Sequence, residues 1–354
     1  MKKQSRQPEK YDVLELFSVL SAKYDHDITD EFAVDDFIER VRKSISLSKM
    51  NRSALFGKRT ESMFAYVSGA LGKVSLLKQE DAGDLFFTDG DLIVPDYRMT
   101  FHDGKQTLVE VKNFHSDNPS GYFVINKEYY SKLAAYSNLN GIQLKIAVYF
   151  SAWNIWTLLS IQSFDELDDK YRISFPDAMA MSEMNSLGDC MVGTSPNLEL
   201  HLLADSSEAN LIEDSGDTVF ITREIKLYCA GQEITLEAEK KLALYFMLYG
   251  KWIEQEVGSI VNDGKLLGVK FSYAPAGQEE PNFAIVGTLS QMVSNEFRQH
   301  TVKDGEVTAL SLGLDPSLFG VLIPVEYVGE RLPIWRFIIE PNPHFQGLVT
   351  DDER

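Results

Sequence analysis

The chain has 354 residues, of which 44% are apolar and 25% are charged, and these shares are typical of soluble globular proteins with a core of ordinary size. No apolar run reaches the roughly 18 residues that span a bilayer, and the first residues, MKKQSRQP, lack the apolar segment of a secretory signal. The two cysteines, Cys190 and Cys229, have no CxxC spacing, so we expect a cytoplasmic protein with free thiols, no membrane partner and no structural zinc site.

The net charge of −19 is unevenly distributed along the chain. Residues 1–165 carry 20 Lys and Arg against 22 Asp and Glu, whereas residues 166–354 carry 14 against 31. The acidic second half would repel phosphates, so we expect it to mediate self-association or to bind a partner protein. An acidic mimic of DNA is another interpretation of this half.

Residues 40–59 form a basic segment, with seven Lys and Arg and no Asp or Glu. Such a segment can contact phosphates even on an acidic protein. Its alternative interpretation is a solvated helix face. Within it, the candidate nucleic-acid contacts are Arg52, Lys58 and Arg59.

The predicted elements of the first half follow the order helix, three strands, helix, two strands, after an N-terminal helical segment. Apolar residues at helical spacing predict two helices within residues 11–50 and a third over residues 60–71, which ends before Gly72. Alternating or continuous apolar runs predict strands over 73–77, 91–101, 106–114, 143–150 and 154–161. A helix is predicted over 126–140, because Asn126 is a good N-cap and Asn140-Gly141 is a good C-terminal stop.

The second half is predicted to form an α+β domain after a polar, acidic stretch at residues 205–216. Its predicted elements are a hairpin over 219–236, helices over 237–249 and 289–298, and strands over 267–273, 320–328 and 334–340. The predicted organisation is therefore an N-terminal helical segment at 1–54, an α/β domain at 55–205 and an acidic α+β accessory domain at 217–354.

Three polar residues are set into the apolar strands around residues 91–114: Asp96, Glu110 and Lys112. Lys112 lies two residues after Glu110 and therefore on the same face of its strand. Carboxylates that hold Mg²⁺ beside a cation are what phosphodiester hydrolysis requires, because a water must be activated and charge at phosphorus relieved. A cross-strand salt bridge is the structural alternative, but an acid and a lysine in an apolar strand are costly unless they are used or paired.

The turn between the two strands decides whether these residues can meet. If a three-residue loop ends at Gly104 in the left-handed conformation, Phe101 pairs with Lys105 and Asp96 lies directly opposite Glu110. A two-residue turn would shift the register by one and place Asp96 on the other face. The sequence predicts the three-residue version, since glycine is its third residue.

The sequence Pro95-Asp96, followed after thirteen residues by Glu110-Val111-Lys112, resembles the motif of the PD-(D/E)xK nuclease superfamily, which contains restriction endonucleases and Holliday-junction resolvases. The resemblance covers about residues 55–165. It implies an α/β fold with a restriction-endonuclease-like αβββαβ core, in agreement with the predicted element order. The motif is short and degenerate.

The resemblance implies roles for individual residues. Asp96 and Glu110, with the backbone carbonyl of Val111, would hold Mg²⁺, for which Mn²⁺ can substitute, and Lys112 would position or activate the attacking water. Glu61, on the helix before the sheet, would be a further catalytic acid and metal ligand; its alternative interpretation is a first-turn acid that the helix dipole stabilises.

On the helix after the motif, Lys132 shares a face with Tyr129 and Tyr136 and is the candidate substrate contact. A solvated lysine is the alternative interpretation. The expected activity is that of a Mg²⁺-dependent deoxyribonuclease, an endonuclease rather than an exonuclease, acting as a dimer in restriction, phage defence or a mobile element. The alternative is a nuclease-fold binding or scaffold subunit whose cutting is dormant or requires a partner.

Overall fold

Three helices open the computed structural model, which describes residues 1–3, 12–82, 85–88, 90–118, 120–205, 218–277, 283–319, 323–324, 327–342 and 344–345. These helices are α1 (Val13–Lys23), α2 (Glu31–Met50) and α3 (Arg52–Ala70). The Asp30 side chain accepts a hydrogen bond from the backbone at the start of α2, and the Asn51 side chain does the same for α3.

Helix α3 starts at Arg52, eight residues earlier than predicted, so the interval expected between the second and third helices is reduced to Asn51. Asn51 ends α2 and, as the N-cap, starts α3, so the chain turns at one residue. Gly57 lies inside the helix, and no atom lies within 4 Å of the position that a Cβ atom would take there. Glycine lowers helix stability by only about 1 kcal/mol, which neighbouring residues can offset.

A five-stranded mixed sheet follows α3 and contains the motif. The elements of this region, in chain order, are β1 (Val74–Gln79), β2 (Tyr97–Phe101), β3 (Gln106–Phe114), β4 (Tyr122–Asn126), α4 (Lys127–Asn140), β5 (Gln143–Phe150) and β6 (Ile155–Leu159). The strand order in the sheet is β1-β2-β3-β5-β6, with β3 and β5 parallel and the other pairs antiparallel. The parallel pair needs a crossover, which α4 supplies.

Strand β4 was not predicted, and it does not join this sheet. It pairs with β8 (Lys170–Ser174), which also pairs with β7 (Asp165–Glu166), in a small antiparallel sheet. The residues before β2 were predicted as strand from position 91, but they are irregular up to Asp96. Pro95 accounts for the late start, since proline has no N–H to donate to a strand ladder.

Helices α3 and α4 cover opposite faces of the main sheet. Val109 and Val111 of β3 share one apolar core with Phe64 of α3. Leu108, which points to the other face of β3, packs in a second cluster with Leu133 of α4. The sheet therefore lies between two helical layers, and each face of β3 has its own cover.

The hairpin of β2 and β3 has the predicted three-residue loop. Residue pairs run from Tyr97 with Val109 to Thr100 with Gln106. The Phe101 N–H donates to the Lys105 carbonyl at 2.9 Å, and Gly104 has φ of +83°. The predicted register is confirmed.

The described residues of the second half form two larger sheets, a two-stranded sheet and three α-helices. Its elements are α5 (Phe175–Ala180), β9 (Met191–Thr194), β10 (Leu198–Ala204), β11 (Thr222–Cys229), β12 (Gln232–Ile234), α6 (Glu237–Tyr249), β13 (Ile253–Glu254), β14 (Gly258–Asn262), β15 (Lys265–Ala274), β16 (Ala284–Thr288), α7 (Leu289–Thr301), β17 (Val302–Lys303), β18 (Glu306–Val307) and β19 (Ile334–Phe337). One sheet has the order β12-β11-β10-β15-β13, with β14 beside β15, and the other has the order β16-β9-β19. The predicted strand at 320–328 lies partly outside the described residues, and residues 323–324 and 327–328 are not strand.

Helix α7 connects two apolar cores. Its Val293 and Phe297 lie in the core of α3 and the main sheet, whereas its Met292 lies in a core with Leu242 and Phe246 of α6. Strands β10 and β11, on either side of the predicted domain boundary, pair antiparallel. Residues 206–217 lie outside the described part of the chain, and the division into domains stays a prediction.

Among the residues that the structure describes, no helix has both the length and the apolar character that crossing a bilayer demands.

Candidate active site

The hairpin brings the motif residues together on the α4 side of the sheet. Because Tyr97 pairs with Val109, Asp96 lies opposite Glu110. The Val111 N–H donates to the Asp96 carboxylate, Oδ2, at 2.7 Å, which fixes that side chain against β3. The observed register agrees with the one predicted from the turn, and the two acids share one face of the hairpin.

Glu110 is buried, with 3% of its surface exposed. Its Oε1 accepts hydrogen bonds from the Lys112 ammonium and from the Tyr129 hydroxyl, both at 2.5 Å. Lys112 Nζ also lies 3.1 Å from the Tyr129 hydroxyl and 4.9 Å from the centre of its ring. A carboxylate, an ammonium and a phenol therefore form one compact group.

The electrostatics of this group follow from its burial. Burial raises the pKa of Asp96 to about 7, and the nearby Glu110 charge adds to the rise, while the Val111 N–H opposes it. Burial lowers the pKa of Lys112, but the Glu110 carboxylate and Tyr129 outweigh it and hold that pKa above its usual range. Two buried acids beside one half-buried ammonium leave excess negative charge within the motif, which favours a bound cation.

Glu61 lies close enough to this group to interact with it. Its charge raises the pKa of Asp96, and its backbone carbonyl accepts a hydrogen bond from the Tyr97 hydroxyl at 3.1 Å. Its carboxylate is paired with Lys58 Nζ at 2.6 Å, and the same ammonium lies 3.7 Å from Asp81. Helix α3 therefore adds an acid and a lysine to the edge of the site.

Two other predicted nucleic-acid contacts, Lys132 and Arg52, form ion pairs with acids outside the motif. Lys132 forms ion pairs with Asp91 at 2.7 Å and with Glu128 at 3.0 Å on the surface of α4. Arg52 is exposed and lies 3.2 Å from Glu306. These two side chains are accessible, but ion pairs with acids already engage them.

Arg59 is not the exposed phosphate contact that the sequence predicted. It is 4% exposed, and its Nε donates to Thr301 Oγ1 of α7 at 2.8 Å. Burial lowers its pKa to about 10. The sequence could not show that Arg59 is buried, because α7, which covers that side of α3, lies more than 200 residues away in the chain.

Sequence reasoning missed two contacts of the site. Tyr129 was grouped with Lys132 and Tyr136 on one helix face, yet only the structure shows that its hydroxyl reaches Glu110 and Lys112. Asp81, two residues after the end of β1, has no sequence feature that points to this site. Tyr129 is the third residue of α4 after the N-cap Asn126, and this first-turn position is the signal that could have selected it.

The donor set of the site fits a hard cation. Asp96 and Glu110 offer carboxylate oxygens, and neither His nor Cys takes part. Over the described ranges, no group of three or more His, Cys, Asp and Glu side chains is arranged to hold a metal ion. Mg²⁺ is commonly held by one or two carboxylates and keeps several waters, so this pair of acids meets its requirement.

Neither a protein-family model nor a curated protein matches the chain. Among solved structures, the chain is similar to a Holliday junction resolvase, Hjc, from the archaeal hyperthermophile Archaeoglobus fulgidus. The similarity covers 26% of this chain and 77% of that chain, with 12% sequence identity and a TM-score of 0.21. At this TM-score the likeness decides neither the fold nor the function of this chain.

Proposed function

We propose that the chain is a Mg²⁺-dependent nuclease that hydrolyses phosphodiester bonds, with DNA as its substrate. The observation that carries the proposal is the buried group in which Asp96 lies opposite Glu110 and Lys112 contacts Glu110. Two buried acids with a half-buried lysine beside them are costly to keep in a protein that does not use them. Their perturbed pKa values agree with a functional site.

The element order supports a restriction-endonuclease-like core within the PD-(D/E)xK superfamily. Helix α3, strands β1 to β3, helix α4 and strand β5 give αβββαβ once β4 is set aside as an addition, and β6 extends the sheet after them. The motif residues stand on β3 and directly before β2. Glu110 is held rigidly by its place in β3, and the Val111 N–H holds the Asp96 carboxylate against that strand.

Each residue has a role in this proposal. Asp96 and Glu110 would hold Mg²⁺ with the Val111 carbonyl, and Glu61 would be the further acid of the site. When bound, Mg²⁺ or Mn²⁺ supplies Lewis acidity and makes a water more acidic. Lys112 orients the attacking water and places positive charge beside the phosphate, where negative charge grows as the new bond to phosphorus forms.

The experiment uses closed circular plasmid, the full chain and Mg²⁺. We expect cleavage that Asp96→Ala and Lys112→Ala each reduce by at least about 100-fold, the scale on which electrostatic groups act in catalysis. Lys105→Ala, an exposed change in the same hairpin, should leave cleavage intact. Cutting of closed circles would demonstrate endonuclease action because these molecules have no ends.

The proposal is wrong if cleavage survives both substitutions. A labelled single-stranded RNA of the same sequence, tested in parallel, identifies the substrate class. Cleavage of the RNA alone would assign the same site to ribonuclease action and would overturn the choice of DNA.

A second candidate function is a nuclease-fold subunit that cuts only with a partner protein. The observation that favours it is the pairing of Glu110 with Lys112 and of Glu61 with Lys58. In this state, two of the acids that a metal would need form ion pairs with lysines. This candidate would be supported if the purified protein cleaved no nucleic acid, a co-expressed partner restored cleavage, and Asp96→Ala abolished it again.

A further inference from the structure

The first two helices bury almost none of their side chains. Within α1 and α2, only Ser21 and Ala33 are buried. The helices contact each other through the rings of Phe17 and Phe37, whose centres are 5.4 Å apart. Helices in proteins gain most of their stability from packing an apolar face. The arm formed by α1 and α2 therefore requires more packing than the pair provides.

Helix α2 carries an apolar stripe that α1 does not cover. The stripe consists of Val34, Ile38, Val41 and Ile45, at spacings of four, three and four residues. Val34, Ile38 and Ile45 are 46%, 47% and 51% exposed. This spacing is the heptad pattern of a helix that packs along another helix.

The charges of α2 divide at its midpoint. The acids of the helix all precede residue 40, and the basic residues all lie from residue 40 onward: Glu31, Asp35, Asp36 and Glu39 against Arg40, Arg42, Lys43 and Lys49. Three exposed members, Asp35, Arg42 and Lys49, follow one edge of the stripe at seven-residue spacing. Charges that flank a heptad stripe select the partner and its direction.

We propose that α2 pairs with α2 of a second copy of this chain, antiparallel and about a two-fold axis near the helix midpoint. In this direction the acidic half of each helix faces the basic half of the other, and Asp35 of one copy approaches Arg42 of the other. A parallel pair would place like charges together. A self-complementary patch is what a two-fold interface requires, and this α2 surface has both the apolar stripe and the charges for it.

The first test measures the mass of the full chain by sedimentation equilibrium across concentrations, without metal or nucleic acid. The wild type should approach twice its chain mass of 40.0 kDa. Ile38→Glu with Ile45→Glu should give a monomer, whereas Leu47→Glu, on the opposite side of the same helix, should keep the dimer. Circular dichroism confirms that each variant is folded. A wild type that is monomeric at every concentration, or a dimer that survives the Ile38/Ile45 variant, overturns the proposal.

The second test determines the direction of the pair. Asp35→Arg and Arg42→Glu should each weaken the dimer, because each places like charges across the axis. An equimolar mixture of the two variants should restore dimers, since both cross-axis pairs again join opposite charges. A mixture that stays as monomeric as its components overturns the antiparallel arrangement. Neither test depends on nuclease activity, so the proposed function can fail without affecting them.

Discussion

The contact between Lys112 and Glu110 allows a prediction about stability that needs no substrate. In Lys112→Met, Glu110 keeps its buried position but loses the ammonium that lies 2.5 Å from its Oε1. The Tyr129 hydroxyl remains as its hydrogen-bond donor. A carboxylate that is 3% exposed would then carry its charge with one neutral partner.

Breaking a buried ion pair from one side costs roughly 3–5 kcal/mol of folding free energy. The Lys112 side chain is 32% exposed, so water already weakens the pair and the expected cost is about 2–3 kcal/mol. In the double variant Glu110→Gln with Lys112→Met, no charge is left uncompensated, and we expect more than half of that loss to be recovered.

Urea unfolding in EDTA measures these differences, with Lys105→Met as the exposed control, for which we expect a change within about 0.5 kcal/mol. Addition of Mg²⁺ should stabilise Lys112→Met more than the wild type, because no lysine has to leave Glu110. Saturation at 100 times the dissociation constant corresponds to about 2.7 kcal/mol. The reasoning is refuted if Lys112→Met is as stable as the wild type in EDTA, or if the double variant is no more stable than the single one.

Three further predictions concern other parts of the chain. Gly104→Ala should cost about 1–2 kcal/mol through its positive φ alone, since no atom lies within 4 Å of the added carbon, and Gly104→Asn should cost less; equal costs in urea unfolding would contradict this. Burial raises the pKa of Asp189 to about 6, so the folded protein keeps a proton that the unfolded chain loses above its own pKa near 4. Wild-type stability relative to Asp189→Asn should therefore fall by up to about 3 kcal/mol from pH 4 to pH 6, and a difference that does not change with pH would argue against it. Arg59→Met should leave the salt dependence of DNA binding unchanged, because this side chain is buried, whereas a slope reduced by about one would show a phosphate contact.

The site could be predicted from the sequence to the extent that its geometry is local. Gly104 ends a short loop, and the loop fixes the register, so the position of Asp96 opposite Glu110 follows from residues within twenty positions of each other. The two-residue period of a strand then placed Lys112 on the same face. The N-cap at Asn126 likewise marked the start of α4 from the sequence alone.

Only the tertiary structure decided what surrounds these residues. Arg59 is basic and stands in a basic segment, yet α7 packs over it and makes it an interior residue. Tyr129 became a partner of Glu110 because the crossover sets α4 on that face of the sheet. The physical reason is that turns and strand periodicity are encoded by neighbouring residues, whereas burial depends on which distant element covers a surface. The sequence alone thus determined the register that joins Asp96 and Glu110, and the packing of α3, α4 and α7 determined which charges remain beside them.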